Sequence, residues 1–245
     1  MKKLLIPLLF LAGLACQAQF VSSVFTHVGA SGFTIVNHTS ASGTTGATVS
    51  TSATPINTTG ANACFVAVGG YALTIPGGTT VTDNKSNTYV AVPTTTTGAV
   101  TNVVLFYSKG LTVGTGHYWS ASTSSGGYMA IGVLCVNGSI LTGGADQEND
   151  ARPTASTSVQ AGSVTPTNTN QLVLNVTGVD NSGARVSSIN SGFTLIENVA
   201  PSANNYGLGF SYLIETAAVA QNPSVALSAT PSNPAMAINA TFKNH

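Results

Sequence analysis

Charge is what this sequence has least of. Seven Lys and Arg and seven Asp and Glu make up 6% of its 245 residues, against about 25% in ordinary soluble domains. A nucleic-acid partner needs clustered Lys and Arg to neutralise phosphates. Beyond the N-terminus the basic residues are Lys85, Lys109, Arg152, Arg185 and Lys243, and none of them cluster. Nucleic acid is therefore excluded, and so is electrostatic docking on anionic lipid. Catalytic signatures are scarce too. There is no Gly-x-Ser-x-Gly elbow and no His-Glu-x-x-His helix. The four histidines, His27, His38, His117 and His245, are scattered without metal-ligand spacing. Glycoside hydrolysis needs two carboxylates about 5–10 Å apart, and Glu197 and Glu215 qualify only if the fold brings them together. The chain reads as a non-enzyme with no cofactor, calcium being the one ion its residues suggest.

Long apolar runs are also few. One lies at the N-terminus: Lys2 and Lys3, then an apolar stretch over 4–15, then small residues at 15–18. This is the layout of a secretory signal peptide over 1–18, with Gln19 as the mature N-terminus. Cys16 opens a second reading, lipid attachment, although Gly13 stands where a lipobox carries a larger aliphatic residue. No other run approaches the roughly 20 residues needed to span a bilayer, so no membrane span is expected. The expected location is secreted or cell-surface. In an oxidising compartment the two remaining cysteines, Cys64 and Cys135, can form a disulfide. Each also sits in an apolar run, where a buried thiol behaves as a small hydrophobe. Both readings stand.

What the chain does have is Val, Ile, Thr, Tyr and Phe in short segments bounded by Gly, Pro, Asn and Ser. They recur at 33–36, 64–68, 88–92, 102–107, 117–120, 128–136, 171–176, 193–197, 207–214, 224–227 and 235–242. No stretch after the first 18 residues has helical periodicity. The pattern predicts an all-β, antiparallel, jelly-roll-like sandwich filling 19–245.

The chain also repeats itself. Thr54-Pro55-Ile56-Asn57-Thr58 returns as Thr165-Pro166-Thr167-Asn168-Thr169. Phe65-Val66-Ala67-Val68 corresponds to Leu172-Val173-Leu174-Asn175, and 81–89 to 186–193. Leu105-Phe106-Tyr107 answers Phe210-Ser211-Tyr212, and Met129-Ala130-Ile131 answers Met236-Ala237-Ile238. The order predicts two similar halves, 53–137 and 163–244. They are either separate small sandwiches or, as favoured here, the two sides of one merged domain.

Taken together, the 81–89 segment, Leu105-Phe106-Tyr107, Val113-Gly114-Thr115-Gly116-His117, Asp146-Gln147-Glu148-Asn149, Ser191-Gly192-Phe193-Thr194 and Thr241-Phe242-Lys243 resemble a family of uncharacterised secreted or phage-associated β-sandwich proteins. The resemblance covers most of the mature chain. It implies a jelly-roll-like, surface-exposed module, and it carries no catalytic residues to transfer.

Three segments are candidate sites. Asp146-Gln147-Glu148-Asn149-Asp150 gathers carboxylates that can serve Ca²⁺, with Asp146, Glu148 and Asp150 as ligands and Asn149 free to meet a sugar hydroxyl. The alternative is a solvated loop joining the halves, with Arg152 pairing one acid. Asp83-Asn84-Lys85-Ser86-Asn87 suits a hairpin turn. In His117-Tyr118-Trp119, strand alternation sends Tyr118 to one face and its neighbours to the other. Tyr118 and the lone Trp119 form either a sugar-stacking platform or, for Trp119, part of the core. The function expected is a binding or adhesion module for a polysaccharide or cell-surface glycan. The rival is a self-associating subunit of a surface layer, filament or phage-like appendage, since low charge permits close packing between copies.

Overall fold

The computed structural model of the protein describes residues 32–43, 46–73, 78–95, 100–138, 140, 144–180, 182–201 and 206–244. The expected signal peptide (1–18), Cys16, His27 and His245 lie outside them. The described residues form sixteen strands and no helix. The first eight are β1 (Thr34–Ser42), β2 (Thr48–Ser50), β3 (Ala63–Tyr71), β4 (Thr79–Asp83), β5 (Val90–Ala91), β6 (Thr101–Lys109), β7 (Trp119–Thr123) and β8 (Gly127–Asn137). The next eight are β9 (Gln147–Ala151), β10 (Ser158–Val159), β11 (Gln171–Val179), β12 (Val186–Ile189), β13 (Thr194–Val199), β14 (Gly207–Glu215), β15 (Val225–Leu227) and β16 (Met236–Phe242).

They make an all-β antiparallel sandwich of four sheets. One five-stranded sheet runs β1-β8-β3-β6-β5 and the other β13-β14-β11-β16-β9; the three-stranded sheets run β2-β7-β4 and β10-β15-β12. Adding eight to each strand number of the first pair of sheets gives the second pair. The alternation of β1, β8, β3, β6 in one sheet with β2, β7, β4 in the other is jelly-roll winding. The repeating unit of strand order spans 34–137 and 147–242, so it begins earlier than the expected bounds of 53 and 163.

Side-chain alternation along the central strands creates the layers. In β3, Ala63, Phe65 and Ala67 face a central core shared with the other five-stranded sheet, where Leu172, Leu174, Val176, Phe210, Ile238 and Phe242 meet them. Cys64, Val66 and Val68 point the other way, onto Val49, Val81, Trp119 and Ala121 of the β2-β7-β4 sheet. The last eight strands carry their own outer layer, around Val159, Val186, Val225 and Leu227. Strands buried on both faces explain the unbroken apolar runs. The two five-stranded sheets thus close one common core, and each also covers a smaller sheet behind it.

Two of the sequence matches shift against this frame. Isolated bridges Ile56↔His117 and Val164↔Gln221 set Ile56 level with Val164, not with Thr167. Met129 and Ile131 face the outer layer, whereas Met236 and Ile238 face the central core. That match is one residue out of phase, and a one-residue slip in a strand reverses every side chain. The match of Phe65 and Ala67 with Leu172 and Leu174 keeps its face.

Cys64 and Cys135 are register partners in β3 and β8, with Cα atoms 4.1 Å apart, and are joined by a disulfide. The flanks are stitched from sheet to sheet. His38 Nδ1 of β1 meets Glu197 Oε1 of β13 at 2.6 Å, and Asp150 of β9 accepts hydrogen bonds from the Thr95 N–H and hydroxyl just past β5.

Candidate functional site

The acidic segment expected as a calcium loop is instead strand β9, at the edge of its sheet. Its carboxylates are dispersed. The Asp146 carboxylate accepts from the Thr167 N–H and hydroxyl and from Gln171 Nε2, and pairs with Lys243 Nζ at 2.8 Å. Burial alone would raise the Asp146 pKa, but Lys243, Thr167 and Gln171 together hold it below the ordinary carboxylate value. Glu148 is exposed, and Asp150 is engaged by Thr95. Among the described residues no group of three or more His, Cys, Asp or Glu gathers as a metal site. Asn149 is exposed, and its amide donates to the Ser163 carbonyl. The ion pair belongs to Lys243, not to Arg152 as expected from proximity in sequence.

Trp119 is not a platform. It is fully enclosed, its ring stacked on His117 with centroids 4.1 Å apart. Tyr118, on the opposite face, is half-exposed. The sequence did not reveal the polar node beneath Trp119. The Asp83 carboxylate takes His117 Nε2–H at 2.8 Å, Tyr89 O–H at 2.7 Å, Asn87 Nδ2 at 2.7 Å and the Lys85 and Asn87 N–H groups. Trp119 Nε1 donates to Tyr89, and Thr58 Oγ1 lies 2.9 Å from His117 Nδ1. Burial opposes ionisation of Asp83, yet its donors, His117 first among them, hold its carboxyl well below the usual range. Burial, and then the Asp83 charge, push the Tyr89 phenol upward. The hydroxyl–imidazole–carboxylate series resembles a nucleophilic triad in its connections, but Thr58 and His117 have no exposed surface for a substrate. Asp83 also turns the chain, although β4 and β5 lie in different sheets, so the turn is an arch rather than the expected hairpin.

Glu197 and Glu215 do not pair. Glu197 stands opposite Phe210 in β14, and Glu215 is five residues further along that strand, roughly 17 Å away at about 3.4 Å per residue.

The structure exposes aromatic rings elsewhere. Gly126, Gly127 and Tyr128 take φ values of +78°, +153° and +53° in succession. A Cβ on Gly126 would sit 1.9 Å from the Tyr71 carbonyl oxygen, so only glycine permits this approach. On the facing strand, a bulge between Gly69 and Tyr71 re-aims Tyr71. The result is two neighbouring surface rings, Tyr71 and Tyr128, 40% and 44% exposed, with centroids 6.4 Å apart in an edge-on arrangement. Tyr206 supports them from the last eight strands: its N–H donates to the Tyr128 carbonyl, and its ring lies 5.9 Å from that of Tyr71. Tyr206 is 4% exposed. Its phenol is pushed up to about 12 by burial and by the charge of Asp180. A non-glycine aromatic held at positive φ is costly, and such strain persists where the surroundings over-determine it.

A second polar face covers the outside of the β2-β7-β4 sheet. Thr48, Ser50, Thr82, Ser120 and Ser122 line an open depression of about 540 Å³. Hydroxyls pair within and beside it, Ser50 with Ser120 at 3.0 Å and Ser122 with the neighbouring Thr80 at 2.8 Å.

No family model, curated protein or solved structure matches the chain.

Proposed function

We propose that this chain is a secreted or cell-surface, non-catalytic binding module that takes a carbohydrate against Tyr71 and Tyr128. The observation that carries the reading is the pair of adjacent exposed rings, Tyr128 of the two standing on a backbone held in the left-handed region. Tyrosine offers an apolar face to the C–H side of a pyranose and a hydroxyl to its polar rim. Strained backbone concentrates where a surface has a task. Export is supported by the layout of residues 1–18 and by the Cys64–Cys135 disulfide, a bond that persists in oxidising compartments. The test is a glycan array with the mature chain beside Tyr71→Ala and Tyr128→Ala. Both variants should fold and lose the signal; retained binding in both would sink the assignment.

A second reading, a self-packing structural subunit, is favoured by the hydroxyl-lined and uncharged outer face of β2-β7-β4. Light scattering after size exclusion separates the two readings. A monomer keeps the binding module, and large regular assemblies replace it. Two of the edges oppose assembly by strand addition, since β9 carries Glu148 and Asp150 and β5 is two residues long.

A further inference from the structure

Tyr71 and Tyr128 do not lie in one plane. Their rings are inclined by 68°, in edge-on contact with centroids 6.4 Å apart. Two aromatic quadrupoles favour this arrangement, so the pair itself resists flattening. Tyr206 braces it. The Tyr206 ring stands 5.9 Å from that of Tyr71 at an angle of 51°, it is buried, and its N–H is bonded to the Tyr128 carbonyl. Turning Tyr71 level with Tyr128 would give up both ring contacts. The backbone is fixed as well, since Tyr71 closes β3 and Tyr128 is the second residue of β8 at a φ of +53°. The two exposed rings therefore make a rigid corner and not a flat strip.

A tyrosine stacks on a sugar by laying its ring face along the apolar C–H side of the pyranose. On a crystalline polysaccharide the pyranoses of the outer face share one plane, so only one of the two inclined rings can lie on it. One stacked ring is a small gain against the cost of association. A single chain can rotate about each glycosidic bond. It can set one pyranose on one ring and turn its next residue to the other, so that both tyrosines gain contact. Because the corner is already formed, the ordering cost falls on the chain alone.

Resting on the proposed carbohydrate site, we infer that its ligand is a single, soluble glycan chain held in the corner between Tyr71 and Tyr128, and not the flat face of a crystalline polysaccharide.

The test offers the mature chain the same sugars in two physical forms. Hydroxyethylcellulose, glycol chitin and glucomannan are the soluble probes, read by retention in affinity electrophoresis. Microcrystalline cellulose, crystalline chitin and crystalline mannan are the insoluble ones, read by pull-down isotherms. This comparison needs the wild type alone. Tyr71→Ala and Tyr128→Ala run alongside, with near-UV circular dichroism checking each fold. The wild type should be retarded by at least one soluble polymer, with a Kd at least about tenfold below that for the crystalline form of the same sugar, and each tyrosine variant should weaken retention by about tenfold. A crystalline form bound within about tenfold of its soluble counterpart, and lost in Tyr128→Ala, would overturn the single-chain assignment and leave the tyrosine site standing. Loss in one tyrosine variant alone would do the same, since one ring would then suffice. Retention by no polymer of either form, or retention unchanged in both variants, overturns both.

Discussion

At the scale of single residues, Asp83 does most to fix the first outer layer. Its carboxylate gathers His117, Tyr89 and Asn87 and, through Tyr89, the only tryptophan. Its folded pKa lies below the unfolded value near 3.9. Its contribution is therefore complete above about pH 5 and fades as pH falls toward the folded value. Asp83→Asn should cost about 3 kcal/mol at neutral pH, the scale of losing charge-assisted hydrogen bonds and leaving buried donors unsatisfied. The gap to wild type should narrow between about pH 5 and pH 2 in urea melts. A constant gap would mean that Asp83 is not the ionised centre. Tyr128 tests the opposite case. Tyr128→Gly relieves a positive φ and should leave stability unchanged or raise it by about 1 kcal/mol, while abolishing glycan retention. A stability loss above about 2 kcal/mol would show that the ring holds the fold rather than serving a ligand.

At the scale of elements, register decides what the chain presents. The disulfide follows from it: β3 and β8 place Cys64 opposite Cys135, closing a span of 71 residues. Replacing both with Ala should cost about 2–4 kcal/mol by loop entropy, read from urea midpoints, and wild type should show no free thiol at these positions. Strands such as β3, β8 and β11 were legible because burial on both faces leaves continuous apolar runs. Short polar strands were not. β2, β10 and β9 carry Thr, Ser, Gln, Glu and Asp that serve equally in loops, and only their partners make them strands. The same limit hid the tyrosine platform. Whether Tyr71 and Tyr128 are exposed depends on a bulge and on pairing between residues more than 50 positions apart. The one local signal was Gly126-Gly127 ahead of an aromatic, a place where backbone crowding demands glycine. Trp119 was ambiguous for a related reason: an isolated aromatic in a strand carries no mark of which face meets solvent, and here that face is the core.

At the scale of the molecule, the two five-stranded sheets stabilise each other. Phe242 reaches across to Phe65 and Tyr107, with ring centroids 4.6 and 5.8 Å away. Phe242→Ala should cost about 3–5 kcal/mol and lower the midpoint of one unfolding transition seen by both tryptophan fluorescence and far-UV circular dichroism. Separate transitions for the two probes, Trp119 lying among the first eight strands, would mean that the sheets fold independently. Contacts across the shared core reciprocate: β14 meets β8 as β6 meets β16, and β14 meets β3 as β6 meets β11. That is the geometry of a self-complementary dimer interface, here carried by a single chain. The segment between β8 and β9 then acts as a tether. It keeps two mutually dependent partners at an effective concentration in the millimolar range. A single protease cut there would leave every strand and every contact in place, yet make stability depend on dilution, with the two fragments parting as the protein is thinned.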